Sequence, residues 1–243
     1  MRALTFARLG TALAGAALST LALAGAAQAA TGTIVVPDDF NPAYSDTRAN
    51  GHYEVQGTGL RVYTDAVPGT NKVAEYVDTS TPLAGIGEPA LNLTNNSGTI
   101  PPGFQLVVDF DGDGTDDGIL VGEPTFYGND WWASNGSKQF VKDGAPSHEG
   151  GSGSDNHGTL DQWRTAFPNA VVKAFGFSLG SGVVGDWVIN SIEFNGTTYT
   201  FAEPVAPVVL TSKDQCKKDG WKTSTSPVFK NQGDCVSSFA SAK

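Results

Sequence analysis

Residues 171–201 read VVKAFGFSLGSGVVGDWVINSIEFNGTTYTF, and this stretch carries the strongest fold signal in the chain. Apolar and other residues alternate in two runs, Val171–Leu179 and Trp187–Phe194, as they do in strands with one buried face. The Asn195-Gly196 dipeptide separates the second run from TTYTF and is typical of a type I′ hairpin turn, in which both central residues need positive φ. The stretch therefore predicts antiparallel strands joined by tight turns.

The rest of the chain extends this pattern. Thirty glycines, thirteen prolines and 10% aromatic residues favour many short strands over helices. One short helix is predicted, with Thr159 as its N-cap and Pro168 at its end. Leu160, Trp163 and Phe167 share its apolar face. The other strand candidates are Tyr53–Tyr63, Lys72–Val77, Ala90–Leu93, Phe104–Phe110 and Ile119–Glu123. We expect a mainly β protein, an antiparallel β-sandwich of jelly-roll type with one short helix.

Residues 1–30 have the composition of a secretory signal peptide. Arg2 and Arg8 precede an apolar run, and an A-x-A site ends at Ala29, so cleavage is predicted after Ala29 or Ala30. An uncleaved anchor is the alternative, which the small-residue cleavage site disfavours. We expect a secreted, extracellular protein with no membrane-spanning segment in its mature part.

Charge divides the mature chain into an acidic body and a basic tail. A β domain is predicted over residues 31–203, a Pro-containing linker over 204–211 and a small tail module over 212–243. Residues 31–211 hold 7 Lys and Arg against 22 Asp and Glu, a net charge of −15, whereas residues 212–243 hold 6 Lys against 3 Asp, a net charge of +3. The acidic body argues against a nucleic-acid partner, which needs a positive footprint. The oligomeric state stays open.

The segment DFDGDGTDDG, residues 109–118, is the most informative chemical motif. Asp109, Asp111, Asp113 and Gly114 match the D-x-D-x-D-G opening of a calcium loop. Carboxylates at alternating positions can converge on one hard cation. Position 12 is Leu120, however, so the bidentate glutamate of an EF-hand is absent.

Strand candidates flank the motif, which therefore predicts a strand–loop–strand calcium site. The carbonyl of Thr115 and the carboxylate of Asp117 or Asp116 are candidates to complete the Ca²⁺ ligand set. Five clustered aspartates repel one another, which favours a bound cation. A solvated acidic turn is the alternative. The predicted role of Ca²⁺ is structural, to hold a long connection in register.

Aromatic residues cluster soon after the acidic loop, in FYGNDWW at residues 126–132. Tyr127, Trp131 and Trp132 are candidates for stacking on a sugar. Trp131 and Trp132 are adjacent and would point to opposite sides of a strand, so at least one is expected in the core. Packing is the alternative for the whole cluster.

No complete catalytic motif is found. Gly176–Gly180 matches G-x-S-x-G, but no helix is expected after Ser178 and all three histidines precede it, so a serine hydrolase is disfavoured. A glycosidase needs only two suitably placed carboxylates, and many are present. The segment 143–158 is rich in Gly and Ser and predicts a mobile surface loop, with solvated histidines at 148 and 157.

The two cysteines, Cys216 and Cys235, predict one disulfide bond, because an exported chain with a single pair normally oxidises it. Trp221, Phe229 and Val236 are the candidates for a small core around that bond.

Several phrases resemble a recurrent, uncharacterised domain of actinobacterial secreted proteins. They are DFDGDGTDDGILVGE, GNDWWASNGS, GTLDQWRTAFP and KAFGFSLGSGVVGDWVINSI; the tail, with CKKDGWK and FKNQGDCVSSF, is similar to a two-cysteine module at the ends of such proteins. The resemblance covers Phe104 to Phe239. It implies an exported location and this two-part organisation but no activity.

We therefore expect a secreted, non-catalytic binding or surface-associated protein that takes a glycan or a cell-wall polymer. The basic tail could rest on an anionic wall polymer. The alternatives are an extracellular polysaccharide hydrolase with unidentified carboxylates and a structural coat or matrix protein.

Overall fold

The computed structural model describes residues 30–65 and 69–240. Residues 1–29 of the predicted signal peptide lie outside the described residues. Within these two ranges, none of the helices has the length and apolar character needed to cross a bilayer.

The described residues form strands with a few short helices. The strands β1 to β12 are, in chain order, Ala30–Val35, Gly51–Gln56, Gly59–Thr64, Lys72–Pro82, Ala90–Gly98, Gly103–Asp109, Gly118–Gly122, Asp130–Ala133, His157–Thr159, Val171–Gly180, Gly185–Phe194 and Thr197–Ala202. The helices α1 to α4 are Pro124–Tyr127, Gln139–Asp143, Leu160–Ala166 and Gln232–Ser238, and 3₁₀ turns lie at Leu83–Gly85 and Gly220–Thr223. The predicted mainly β class is confirmed.

Two six-stranded sheets make up the body. The first has the order β1-β12-β11-β3-β2, and β5 pairs with the other side of β11. The second has the order β4-β10-β6-β7-β8-β9. Only β1 and β12 are parallel among the paired strands described; the other pairs are antiparallel, as predicted.

One apolar core lies between the sheets and draws residues from both. Phe175 of β10 in the second sheet stacks on Phe194 of β11 in the first, with ring centroids 4.3 Å apart and planes 9° apart. Such a pair contributes about 0.5–1.5 kcal/mol beyond the burial of its area. The predicted turn between β11 and β12 is present, since Asn195 and Gly196 have φ values of 50° and 71°.

The predicted strand Tyr53–Tyr63 is wrong in one respect, because it is a hairpin of β2 and β3. Gln56 pairs with Gly59, and Gly57 turns the chain at a φ of 65°. Strands β1, β8 and β9 and helices α1, α2 and α4 were not predicted, so the expectation of a single helix is also wrong. These elements are short, and short elements carry too few residues to show a period.

The predicted helix is confirmed as α3. The Thr159 hydroxyl accepts the backbone N–H of Gln162 at 3.3 Å, and the Gln162 side-chain oxygen accepts the Thr159 N–H at 2.9 Å, which forms a capping box. Trp163 is fully buried, and its indole N–H donates to the carbonyl of Trp131 at 2.9 Å. Helix α3 therefore contacts β8 directly through the side chain of Trp163.

The tail has a small core of its own. Cys216 and Cys235 form the predicted disulfide and pack with Leu210 and Phe229. Trp221, Val236 and Phe239 cover this cluster, so the predicted core residues do surround the bond.

Replacing both Cys216 and Cys235 by serine should unfold the tail and leave the sandwich folded. Closing a loop of about 20 residues stabilises by roughly 3 kcal/mol, which a core of this size cannot replace. Limited proteolysis should then cut within residues 212–240, while the main thermal transition should move by less than about 3 °C. A comparable loss of stability in both parts would contradict the predicted division of the chain.

Candidate functional site

The acidic loop joins β6 to β7. Val108 pairs with Gly118 at its base, and the Asp117 N–H donates to the Val108 carbonyl at 2.9 Å. Asp109, Asp111 and Asp117 each offer a carboxylate oxygen, and these oxygens all lie within 4.8 Å of one another. Three of the five predicted ligands are therefore brought together.

Asp109 is the residue around which the loop turns. It is 2% exposed, and its two carboxylate oxygens accept the N–H groups of Gly112 at 2.7 Å and Gly114 at 2.8 Å. Both glycines have positive φ, 79° and 96°, which other residues adopt only with strain. Each carboxylate oxygen has a second lone pair, so both stay able to bind a cation.

Asp117 is the second buried carboxylate of the loop. It accepts the Phe110 N–H at 2.6 Å and the ammonium of Lys138 at 2.6 Å, and its side chain is fully buried. The hydrogen bond to Asp117 raises the pKa of Lys138. Lys138 lies 21 residues downstream, immediately before α2, and no local spacing in the sequence signals this contact.

Asp113 and Thr115 lie apart from the convergent group. Asp113 is fully exposed and accepts the N–H and the hydroxyl of Thr115 at 2.8 and 2.7 Å, which lowers the pKa of Asp113. These two predicted ligands form a local turn on the outside of the loop.

The charges of the loop are compatible with a bound cation. Lys138 brings one ammonium to three convergent carboxylates, two of which are buried. Oxygen-only donors of this kind suit a hard ion such as Ca²⁺ or Mg²⁺.

The aromatic residues of β8 point to opposite sides, as predicted. Trp131 is 7% exposed and packs edge-on against Phe104 in the core, with ring centroids 5.7 Å apart. Trp132 lies on the other face, 6.0 Å from the Tyr127 ring at an angle of 24°, and its indole N–H donates to Glu123 at 3.0 Å. Burial raises the pKa of Glu123, and the bond from Trp132 offsets part of that shift.

Residues 144–158, which we call the strap, are tied down over these aromatic rings. The Tyr127 hydroxyl accepts the N–H of Ser154 at 2.7 Å and donates to its carbonyl at 3.0 Å. A Cβ on Gly153 would lie 3.1 Å from the Trp132 ring, and one on Gly151 would lie 2.9 Å from the Tyr127 hydroxyl. These glycines permit close packing of the strap against Tyr127 and Trp132, two of the three residues predicted to stack on a sugar, and both rings are partly buried.

His157 fastens the end of the strap. Its Nδ1 lies 2.8 Å from the Asp130 carboxylate, and its Nε2 lies 2.8 Å from the Glu149 carbonyl. The hydrogen bond to Glu149, followed by the contact with Asp130, raises the pKa of His157. Two acceptors on one ring favour the imidazolium, in which both nitrogens donate.

An open groove of about 690 Å³ lies between β5 of the first sheet and β6–β8 of the second. Its apolar wall includes Leu91, Leu93 and Trp131, and Asn129 and Asp130 line its polar side. The groove exists only because distant strands are brought together, so no single motif could have predicted it.

The G-x-S-x-G match has no catalytic setting. Ser178 is 4% exposed within β10, which continues to Gly180 and is followed by a bend and β11 instead of a helix. The nucleophile elbow of a hydrolase requires a strand-to-helix turn.

Comparisons with protein-family models, curated proteins and solved structures find no match for this chain. Its function is therefore argued from the chemistry of these sites.

Unfolding free energies should show that His157 stabilises the strap at low pH. Because the folded-state pKa of His157 is raised, its contribution is full below the ordinary value of about 6.5 and is lost as the pH rises through the folded-state pKa. The difference between wild type and His157→Ala in urea unfolding should therefore be larger at about pH 6 than at about pH 9.

His148→Ala is the matched control, because it removes a second strap imidazole that contacts Asn156. A difference between wild type and His157→Ala that does not change with pH would contradict the assigned ion pair.

Proposed function

We propose that this protein is an exported, non-catalytic binding module that holds a structural Ca²⁺ in its acidic loop and takes a glycan in its groove. The convergence of Asp109, Asp111 and Asp117 carries the calcium part, because two of these carboxylates are buried in one turn. Burying like charges is unfavourable unless a cation neutralises them.

Calcium suits this loop better than other common ions. The donors are all oxygens, which disfavours zinc, and the irregular loop imposes no octahedral frame of the kind that Mg²⁺ requires. Asp109, Asp111 and Asp117 would hold the ion, and carbonyls of the loop or water would complete its coordination. Bound Ca²⁺ would stabilise the β6–β7 connection, because it would neutralise the carboxylates of the loop.

The ammonium of Lys138 would compete with Ca²⁺ for the carboxylate of Asp117. Its ammonium contacts Asp117 at 2.6 Å, and half of the Lys138 side chain is exposed, so the ammonium can swing towards solvent. An ion with two charges neutralises three carboxylates better than a single ammonium does.

The groove supports a glycan as the ligand. A sugar presents C–H faces and hydroxyl groups, and the groove offers an apolar wall beside Asn129 and Asp130. Its volume lies within the usual range for ligand sites, about 300–1,000 Å³. The strap covers Tyr127 and Trp132, so the proposal moves the sugar site from these rings to the groove beside Trp131.

Export is supported by the disulfide, which persists in oxidising compartments. The resemblance to actinobacterial secreted proteins agrees with it. A wall polymer of the cell envelope is then an accessible source of the glycan.

Calcium should bind the protein and stabilise it. At a concentration near 100 times Kd, binding adds about 2.7 kcal/mol, which raises Tm by roughly 5–10 °C for a domain of this size. Calorimetric titration should show one site, and Asp111→Asn, an exposed change that keeps the side-chain shape, should weaken it at least about tenfold.

Asp38→Asn removes the same charge from an exposed residue elsewhere and should leave calcium affinity unchanged. The absence of both binding heat and a Tm shift at about 10 mM calcium would contradict the proposed site.

Polymeric glycans should bind without being cleaved. Affinity electrophoresis on a panel of wall and plant polysaccharides should retard the wild type, and Asn129→Ala should lose at least about tenfold of that affinity. Asn135→Ala, an exposed asparagine that does not line the groove, is the matched control. Release of reducing ends would favour a hydrolase instead, and equal retardation of the wild type and Asn129→Ala would contradict the groove as the sugar site.

A further inference from the structure

We infer that β5 is an interaction edge through which two copies of this chain pair. Strand β5 pairs with β11 along Ala90–Gly98. The same β11 residues pair with β3 on their other side, so β5 lies at the border of the first sheet. Over residues 30–65 and 69–240, no second strand pairs with β5, so the backbone N–H and C=O groups on its free side have no partner strand.

Each of the other outer strands differs from β5. In β1 the Val35 N–H donates to the Asp39 carboxylate at 2.7 Å, which places a charge at that border of the first sheet. The segment 40–48 runs along β4, where the Asn41 N–H donates to the Tyr76 carbonyl and the Asp46 N–H to the Ala74 carbonyl, both at 2.8 Å. At the opposite border of the second sheet, β9 has only three residues. Strand β2 carries the exposed Glu54, whose charge opposes pairing.

Strand β5 lacks the charges that usually prevent edge pairing. Residues 89–108 contain no Lys, Arg, Asp, Glu or His, and no proline lies within the strand. The body as a whole carries a net charge of −15 over residues 31–211, so two copies repel each other. Pairing along β5 adds no charge–charge contact between the two strands themselves, so a second copy is an acceptable partner at this edge.

The bulge of β5 itself follows its first six residues, although β11 carries an extra residue, Asn190, opposite Asn92 and Leu93. Asp186 pairs with Ser97 and Trp187 with Asn95, so Asn96 is the extra residue of a β-bulge that bends the end of the strand. Ala90–Asn95 precede this bend and form the pairing segment.

The two faces of this segment are self-complementary. Leu91 and Leu93 face the groove, whereas Asn92 and Thr94 lie on the outer face and accept hydrogen bonds from the Asn190 side chain at 3.2 and 2.9 Å. Antiparallel pairing about a two-fold axis would place leucines beside leucines and amides beside amides. The pair would also set two grooves side by side, which gives a bivalent module if the groove binds a polymer.

The test is sedimentation equilibrium of the chain without its predicted signal peptide, from micromolar to about 1 mM protein. We expect a monomer–dimer equilibrium that strengthens as salt is raised, because salt screens the repulsion between acidic bodies. Asn92→Lys places two ammonium groups near the two-fold axis and should weaken dimerisation at least about tenfold.

Gln56→Lys makes the same charge change on the exposed edge strand β2 and should leave the dimer intact. Near-ultraviolet circular dichroism establishes that both variants fold. Amide hydrogen exchange at low and high protein concentration should show slower exchange in Ala90–Asn95 at high concentration. A monomer at about 1 mM, or a dimer equally strong in Asn92→Lys, would overturn the inference, as would concentration-dependent protection confined to another strand.

Discussion

The structure depends on the contact between β10 of the second sheet and β11 of the first sheet, which follow each other in the sequence. The four residues 181–184 join these strands, and each strand then takes a neighbour on both sides within its own sheet. Phe175 and Phe194 stack across the gap between them. Because both strands are paired on both sides, sheet pairing and core packing reinforce one another, and the acidic loop, the groove and the β5 edge are all positioned relative to this pair.

Local features were predictable where a few adjacent residues determine the geometry. Asn195-Gly196 adopts positive φ at both positions, and Thr159 and Gln162 form a reciprocal cap that needs nothing outside its own turn. The hairpin at Gly57 was missed because the apolar pattern continues across it. In the strap, glycine permits close packing as readily as it permits mobility, so the composition alone does not decide between the two.

The candidate site likewise has parts that the sequence predicts and parts that it does not. The loop around Asp109 and Asp117 was predictable because its donors lie within nine residues. Lys138 and the groove were not predictable, because each depends on strands that meet only through the sheet order. Trp131 and Trp132 are intermediate: alternation along a strand correctly separates them, but only the tertiary structure shows that the strap covers Trp132.

Charge placement gives these separate features one physical explanation. Carboxylates concentrate in the turn after β6, where backbone N–H groups and Lys138 already compensate part of their charge. The proposed divalent cation would complete this neutralisation instead of creating a new positive site. The strand that precedes β6 in the sequence is uncharged. Two copies of an acidic protein would meet with little repulsion between the paired strands along an uncharged strand, and β5 is such a strand beside the groove. The same uncharged strand therefore supplies part of the groove wall and the proposed contact between copies.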